Sequence, residues 1–206
     1  SSNHPHHTLR ALQEARPPVP ENTVNQVILL LGHPDPAVHD HQAYPALQKA
    51  LLKGTLDDQL NRVIDRLTGA HGLNCQLTGP EQVPILQRSF SALVLAAALY
   101  RWREFGHQTP PAGVLDGVNK RLGEENNLTS WDDQWEWVHI AAHLGDLTDE
   151  LFEFELPGAA AVDLARGLFQ LLLRKEQALF GFGEYDRAAY ALITALVRKR
   201  LKLREL

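Results

Sequence analysis

The stretch RSFSALVLAAALYRW, residues 88–102, does most to constrain what this chain can fold into. On a helix of about 3.6 residues per turn, Leu93, Val94, Leu95 and Leu99 point in several directions, so the segment is apolar all round. Such a helix must be enclosed. The longest apolar run of the chain, 90–100, is about half of what a bilayer crossing needs, so the enclosing material is protein. The rest of the chain supplies it as helices. Leu and Ala dominate over Val and Ile, and strand-like alternation never extends beyond a few residues. The expected fold class is all-α.

Helices are expected at 22–31, 36–52 with a kink or split at Pro45, 55–68, 84–104, 111–123, 133–153, 158–176 and 185–203. Each boundary has a chemical reason. Gly32 ends the first helix and Pro36 suits a first helical turn. Gly54 and Thr55 give a stop and a cap. Thr129 or Ser130, followed by Asp132 and Asp133, starts the Trp-rich helix. Pro157 with Gly158, and the glycines at 181–183, mark the later turns. The Pro-rich break PPVPEN separates residues 1–21, a tail expected to be partly disordered or a short helix, from a single helical domain over 22–206. The segment 69–83 is the longest loop and the best candidate for mobility. An Asp-Pro turn before an amphipathic helix at 31–51, with a similar theme at 182–199, favours antiparallel hairpins stacked as a HEAT-like right-handed superhelix.

Composition narrows the function. The net charge is −5 with both signs interspersed, unlike a nucleic-acid footprint. The one basic run, RKRLKLREL, reads as the solvated side of a last helix. A single cysteine, Cys75, excludes an intramolecular disulfide and a Cys-rich zinc site and fits a reducing, cytoplasmic setting. No signal peptide is visible in a chain that begins without Met. The expected partner is a protein or a small-molecule ligand, not nucleic acid and not a membrane. Cys75 lacks a nearby basic partner in sequence, and Ser89 and Ser91 lack a nucleophile elbow, which disfavours covalent catalysis. Glycine motifs for phosphates or dinucleotides are absent.

The richest set of side chains is WDDQWEWVHIAAHLGDLTDEL, residues 131–151. On the one helix expected here, Ile140, Ala141, Leu144, Leu147 and Leu151 form the core face, with Trp137 beside them. Trp131, Trp135, His139, Ala142, Asp146 and Asp149 lie opposite, and His143 is on the flank. Three readings compete. His139 and His143, four residues apart, could share a divalent metal with Asp146, although Ile140 stands where a general-base glutamate would be expected. Trp131 and Trp135 could instead be stacking surfaces of a polar ligand pocket whose hydrogen-bonding groups are the histidines and Asp146. The structural reading, in which these groups satisfy buried partners and fill volume, comes first. Arg88, near the start of the enclosed helix, needs a carboxylate or several carbonyls. A structural acid is the simpler partner; an anion-binding role is the sharper one.

The segment WEWVHIAAHLGDLTDEL resembles the G-W-x-H-x-x-A-H-x-x-D-L-L-x-x-L block of the DUF2785 family, bacterial proteins of unassigned function. LGHPDPAVHDHQAYPAL, RSFSALVLAAALY and FGFGEYDRAAYALITAL resemble three further blocks of that family in the same order, over about residues 24–200. Glu136 and His39 depart from the family's Gly and Arg. The resemblance implies an all-helical, HEAT-like fold and no known enzyme. Its blocks also carry Asp35, Asp40, Arg88, Glu184 and Asp186, and Asp40 with Arg88 could form a buried pair. Asp186 and Arg187 are more simply capping and surface residues. The expected function is a noncatalytic binding scaffold using Trp131, Trp135, His139, His143, Asp146, Arg88, Asp40 and Glu184. The alternative is a metal-dependent or acid–base enzyme centred on His139, His143 and Asp146. No cofactor is required by the first; a divalent metal belongs to the second.

Overall fold

The computed structural model describes residues 4–76, 81–174 and 181–205. The protein is mostly helical with one tiny two-stranded ribbon. In chain order the helices are α1 (His4–Glu14), α2 (Glu21–Leu29), α3 (Pro36–Val38), α4 (Tyr44–Leu52), α5 (Leu60–Thr68), α6 (Pro84–Glu104) and α7 (Val114–Glu124). The ribbon, β1 (Trp131–Asp132) and β2 (Glu136–Trp137), comes next, followed by α8 (Ile140–Phe152), α9 (Gly158–Leu173) and α10 (Glu184–Val197).

Helix α6 is the enclosed helix that its apolar circumference requires, with the bounds expected from sequence. Leu86, Phe90, Val94, Leu95, Ala98 and Leu99 are all buried on it. It packs against α4, α5 and α8, while α8 also packs against α9 and α10, and α7 joins α5 and α9. Helix α8 therefore lies between α6 and α10. The α8–α10 approach is close because its residues are small. A Cβ at Gly145 would stand 3.0 Å from Arg187 Cβ and 3.2 Å from the Arg187 carbonyl carbon. On the α10 side the small Ala188, Ala191 and Ala195 are buried. The N-terminal α1 packs on α2 and α4 and buries Leu9 and Leu12.

Several boundaries differ from expectation, each for a local reason. The expected helix 36–52 is divided. Asp35 Oδ1 accepts from the Ala37 N–H at 2.9 Å to cap α3, and a widened turn at His39–Ala43 follows. Pro45, which has no N–H to donate, then sits in the first turn of α4, where none is needed. Gly54, with φ of 82°, stops α4, but Thr55 does not cap the next helix. A single tight turn at Asp57–Gln59 precedes α5. The last helix ends at Val197, short of 203. Lys199 adopts φ of 56° and the Arg200 N–H turns back to the Ala195 carbonyl at 2.7 Å, so the basic run is a helix stop and a tail. Helix α9 ends at Leu173, and residues 175–176 of the expected helix lie outside the described residues. So does 77–80 of the expected mobile loop; just before it, Leu73 and Cys75 are buried. Among the described residues, no helix is long and apolar enough to cross a membrane.

Candidate functional site

The segment 131–139 is not the start of a helix. Asp132 Oδ1 accepts from the N–H groups of Gln134 at 2.8 Å and Trp135 at 3.0 Å, closing a tight turn that competes with helical hydrogen bonding. Trp131 then pairs with Trp137, and Asp132 with Glu136, as an antiparallel ribbon. Glu136 and His139 sit at φ of 63° and 50°, in the left-handed region that non-glycine residues rarely occupy. The Ser130 carbonyl accepts from Val138 N at 2.9 Å and His139 N at 3.2 Å, pinning the strand exit. Thr129 and Ser130 are therefore not helix caps. Thr129 bonds to Asn127 Oδ1, and the Ser130 hydroxyl donates to Glu184. The His139 carbonyl opens α8 by accepting from His143 N at 2.9 Å.

This backbone path gathers an aromatic and imidazole cluster. Trp137 stacks on His139 with ring centres 4.5 Å apart and planes within 4°. Trp131 meets Trp137 edge-on at 4.7 Å, and Phe182 does so at 5.0 Å. Trp131 and Phe182 remain 43% and 51% exposed, so the rim of the cluster faces solvent. Beneath it, Glu184 is buried. Its Oε2 accepts from the Phe182 N–H at 2.9 Å, and its Oε1 lies 3.8 Å from His139 Nδ1. That separation is too long for a hydrogen bond and leaves Nδ1 buried without one. Burial lowers the His139 pKa against an upward pull from Glu184, aided by Asp40, while Arg187 lowers it further; a neutral ring results at neutral pH.

His143 lies deeper. Its Nδ1 is 2.8 Å from Ser89 Oγ and 3.2 Å from the Ser89 carbonyl. The Ser89 hydroxyl gives its hydrogen to the Val138 carbonyl, and a carbonyl can only accept. His143 Nδ1 is thereby assigned as the protonated nitrogen, donating to Ser89. Burial, reinforced by the neighbouring His139, pushes the pKa of His143 down to about 3. Phe90 separates it from His39, with ring centres 5.3 Å and 4.8 Å away. His39 is also pushed down by burial; its Nδ1 donates to the His33 carbonyl at 2.8 Å. Asp146 is held by Arg187 in an ion pair, yet burial keeps its pKa raised. Asp40 is half-buried on the turn before α4, and its charge acts on His139, His39 and Tyr44.

The sequence-derived candidates thus divide. His139, His143 and Glu184 come together around the ribbon, with Trp131 at the rim and Asp40 and Asp146 as nearby charges. Trp135 instead packs against the core, its indole N–H buried and without a hydrogen bond. Arg88 does not meet Asp40. Its Nε and Nη2 take Glu125 at 2.7 and 3.0 Å, and its Nη1 donates to the Cys75 carbonyl at 3.0 Å, tying α6 to the end of α7. The proposed metal triad does not converge either. His143 faces Ser89, Asp146 faces Arg187 and His139 faces Glu184. No group of three His, Cys, Asp or Glu among the described residues is arranged to hold a metal ion. Trp137, Phe182, Ser130 and Glu125 were missed by sequence reasoning. For Trp137 a signal exists: aromatic residues at 131, 135 and 137 around Asp132 form a hairpin pattern rather than a helical one. Elsewhere a cleft of about 1050 Å³ opens between α5, the end of α6 and the start of α7, bordered by Asp58, Asp65, Trp102 and Lys120. It contains none of the candidates.

Fold and site define a mostly helical protein in which a short ribbon holds an aromatic rim beside a half-buried imidazole and a buried carboxylate. The chain belongs to the DUF2785 family, proteins of unknown function, whose model matches residues 73–206. The matched region contains the ribbon, α8 and α10; Asp40 and the Asp-Pro turn lie outside it. No curated protein and no solved structure matches the chain.

Proposed function

We propose that this protein is a noncatalytic binding scaffold that takes a small molecule with a flat apolar portion at the ribbon. Trp131 and Phe182 supply the stacking edge, and His139 supplies a neutral imidazole for hydrogen bonding. One observation carries the reading: the half-exposed Trp131 and Phe182 meet Trp137 edge-on, and Trp137 stacks on the half-buried His139 beside the buried Glu184, at a point where two non-glycine residues hold left-handed backbone. Strained backbone of this kind tends to mark functional positions. The scaffold itself we read as HEAT-like, since α4, α6, α8 and α10 pack in succession. The single buried Cys75 accords with a cytoplasmic setting.

An acid–base reading is the alternative, favoured by Glu184 beside His139 Nδ1. A metal is not part of it, because His143 and Asp146 are committed to other partners. A thermal-shift screen with pools of small metabolites tests the binding reading. A compound that raises the melting temperature of the wild type, but not of Trp131→Ala or His139→Ala, is the expected result. Hits that both variants retain, or no hit at all, would count against it. Turnover of such a compound, abolished in His139→Gln, would instead favour the acid–base reading.

A further inference from the structure

Helix α10 presents an apolar face on both sides. Ala188, Ala191 and Ala195 are buried on the inner side, where α10 meets α8. The outer side carries Tyr190, Ile193 and Val197, which are 64%, 54% and 69% exposed. At about 100° per residue these three fall within an arc of roughly 60°, together with Asp186. A solvated helix face carries Lys, Glu and Gln; a contiguous stripe of Tyr, Ile and Val is the pattern of a face that something covers.

The charges along the helix indicate what covers it. Asp186, exposed in the first turn, gives the stripe an acidic beginning. Exposed Lys199 and Lys202, just past the last turn, give it a basic end. Such a face is complementary to itself when a second copy runs antiparallel. Acid then meets base at both ends, and the two helix dipoles are opposed. Centred on Ile193, the pairing sets Ile193 against Ile193 and Val197 against the small Ala189 of the second copy. Asp186 of each copy falls beside the basic end of the other.

We infer that the outer face of α10 is a homodimer interface formed by antiparallel packing of two copies of this helix. It is separate from the ribbon and does not depend on the binding reading given above.

Sedimentation equilibrium of the full chain across the micromolar range tests it. A mass twice 23.0 kDa is expected for the wild type, weakening with added salt. Ile193→Asp places a charge in the centre of the stripe and should raise the dissociation constant about a hundredfold with unchanged far-ultraviolet circular dichroism. If that variant misfolds, Tyr190→Lys on the same face serves in its place. Asp186→Lys and Lys199→Asp should each weaken the dimer, and the two together should restore most of the affinity. A mass of 23.0 kDa at every concentration would overturn the inference. So would a dimer indifferent to Ile193→Asp, or a double charge exchange no tighter than either single change.

Discussion

Glu125 illustrates how much can rest on one buried side chain. Its carboxylate is 1% exposed and receives Arg88 through two hydrogen bonds, while Arg121 approaches at 3.4 Å. Removing that charge leaves Arg88 with only the Cys75 carbonyl and the buried Arg121 with only Glu124 at 3.5 Å; breaking a buried pair from one side costs about 3–5 kcal/mol in comparable cases. Glu125→Gln should therefore destabilise strongly in urea denaturation. Arg88→Met should cost less, because Arg121 still neutralises the acid; the reverse order would contradict this account of the pair. At the ribbon, Glu184 pulls the His139 pKa upward against the effect of burial. Glu184→Gln should therefore lower the His139 pKa further, as read from its imidazole proton shifts in an NMR titration. An unchanged value would mean that the two groups do not interact.

Among the elements, the α8–α10 contact and the ribbon turn make opposite predictions about glycine. A methyl group at Gly145 would be tight, 3.2–3.3 Å from Arg187 and Ala188 backbone atoms, so α10 would have to give by a few tenths of an ångström. Gly145→Ala should cost about 1–3 kcal/mol by forcing the helices apart. Glu136, by contrast, occupies φ of 63° as a non-glycine residue. Glu136→Gly should be neutral or stabilising by up to about 1 kcal/mol, whereas the β-branched Glu136→Val should destabilise. Chemical denaturation of both variants checks the sign. The ribbon is also where sequence reasoning failed. α6 was legible to the residue because an apolar circumference admits one environment, and Pro84 and the following polar loop set its ends. The Trp-rich stretch was read as helix because its apolar residues also fit a helical period. What decided otherwise was one carboxylate, Asp132, capturing two backbone N–H groups, and the pairing of two tryptophans across the turn. His139 and His143 remained site candidates under either geometry, because α8 carries His143 and His139 immediately precedes it. Arg88's partner was not legible, since Glu125 lies 37 residues away and only the fold brings it near.

For the molecule as a whole, three histidines held neutral by burial set the response to acid. His39, His139 and His143 all have lowered pKa values in the folded state, that of His143 to about 3 from an ordinary 6.5. Unfolded chains bind these protons near 6.5 while the fold resists them, so stability falls as the pH drops from about 6.5 toward 3. Each such histidine contributes up to about 1.4 kcal/mol per pH unit within its own window. Asp146 and Glu150, whose carboxyls are raised by burial, act in the opposite sense and offset part of the loss at the acid end. Denaturation midpoints should decline between pH 7 and pH 5, less steeply in His143→Gln; a flat profile would contradict the burial assigned to these rings. The binding reading is tested most directly by the indole N–H signals of the four tryptophans in an NMR titration with small-metabolite pools. The account predicts that a binding pool shifts Trp131 and Trp137 and leaves Trp102, beside the separate cleft, unmoved. Pools that shift Trp102 alone, or none of the four, would contradict it.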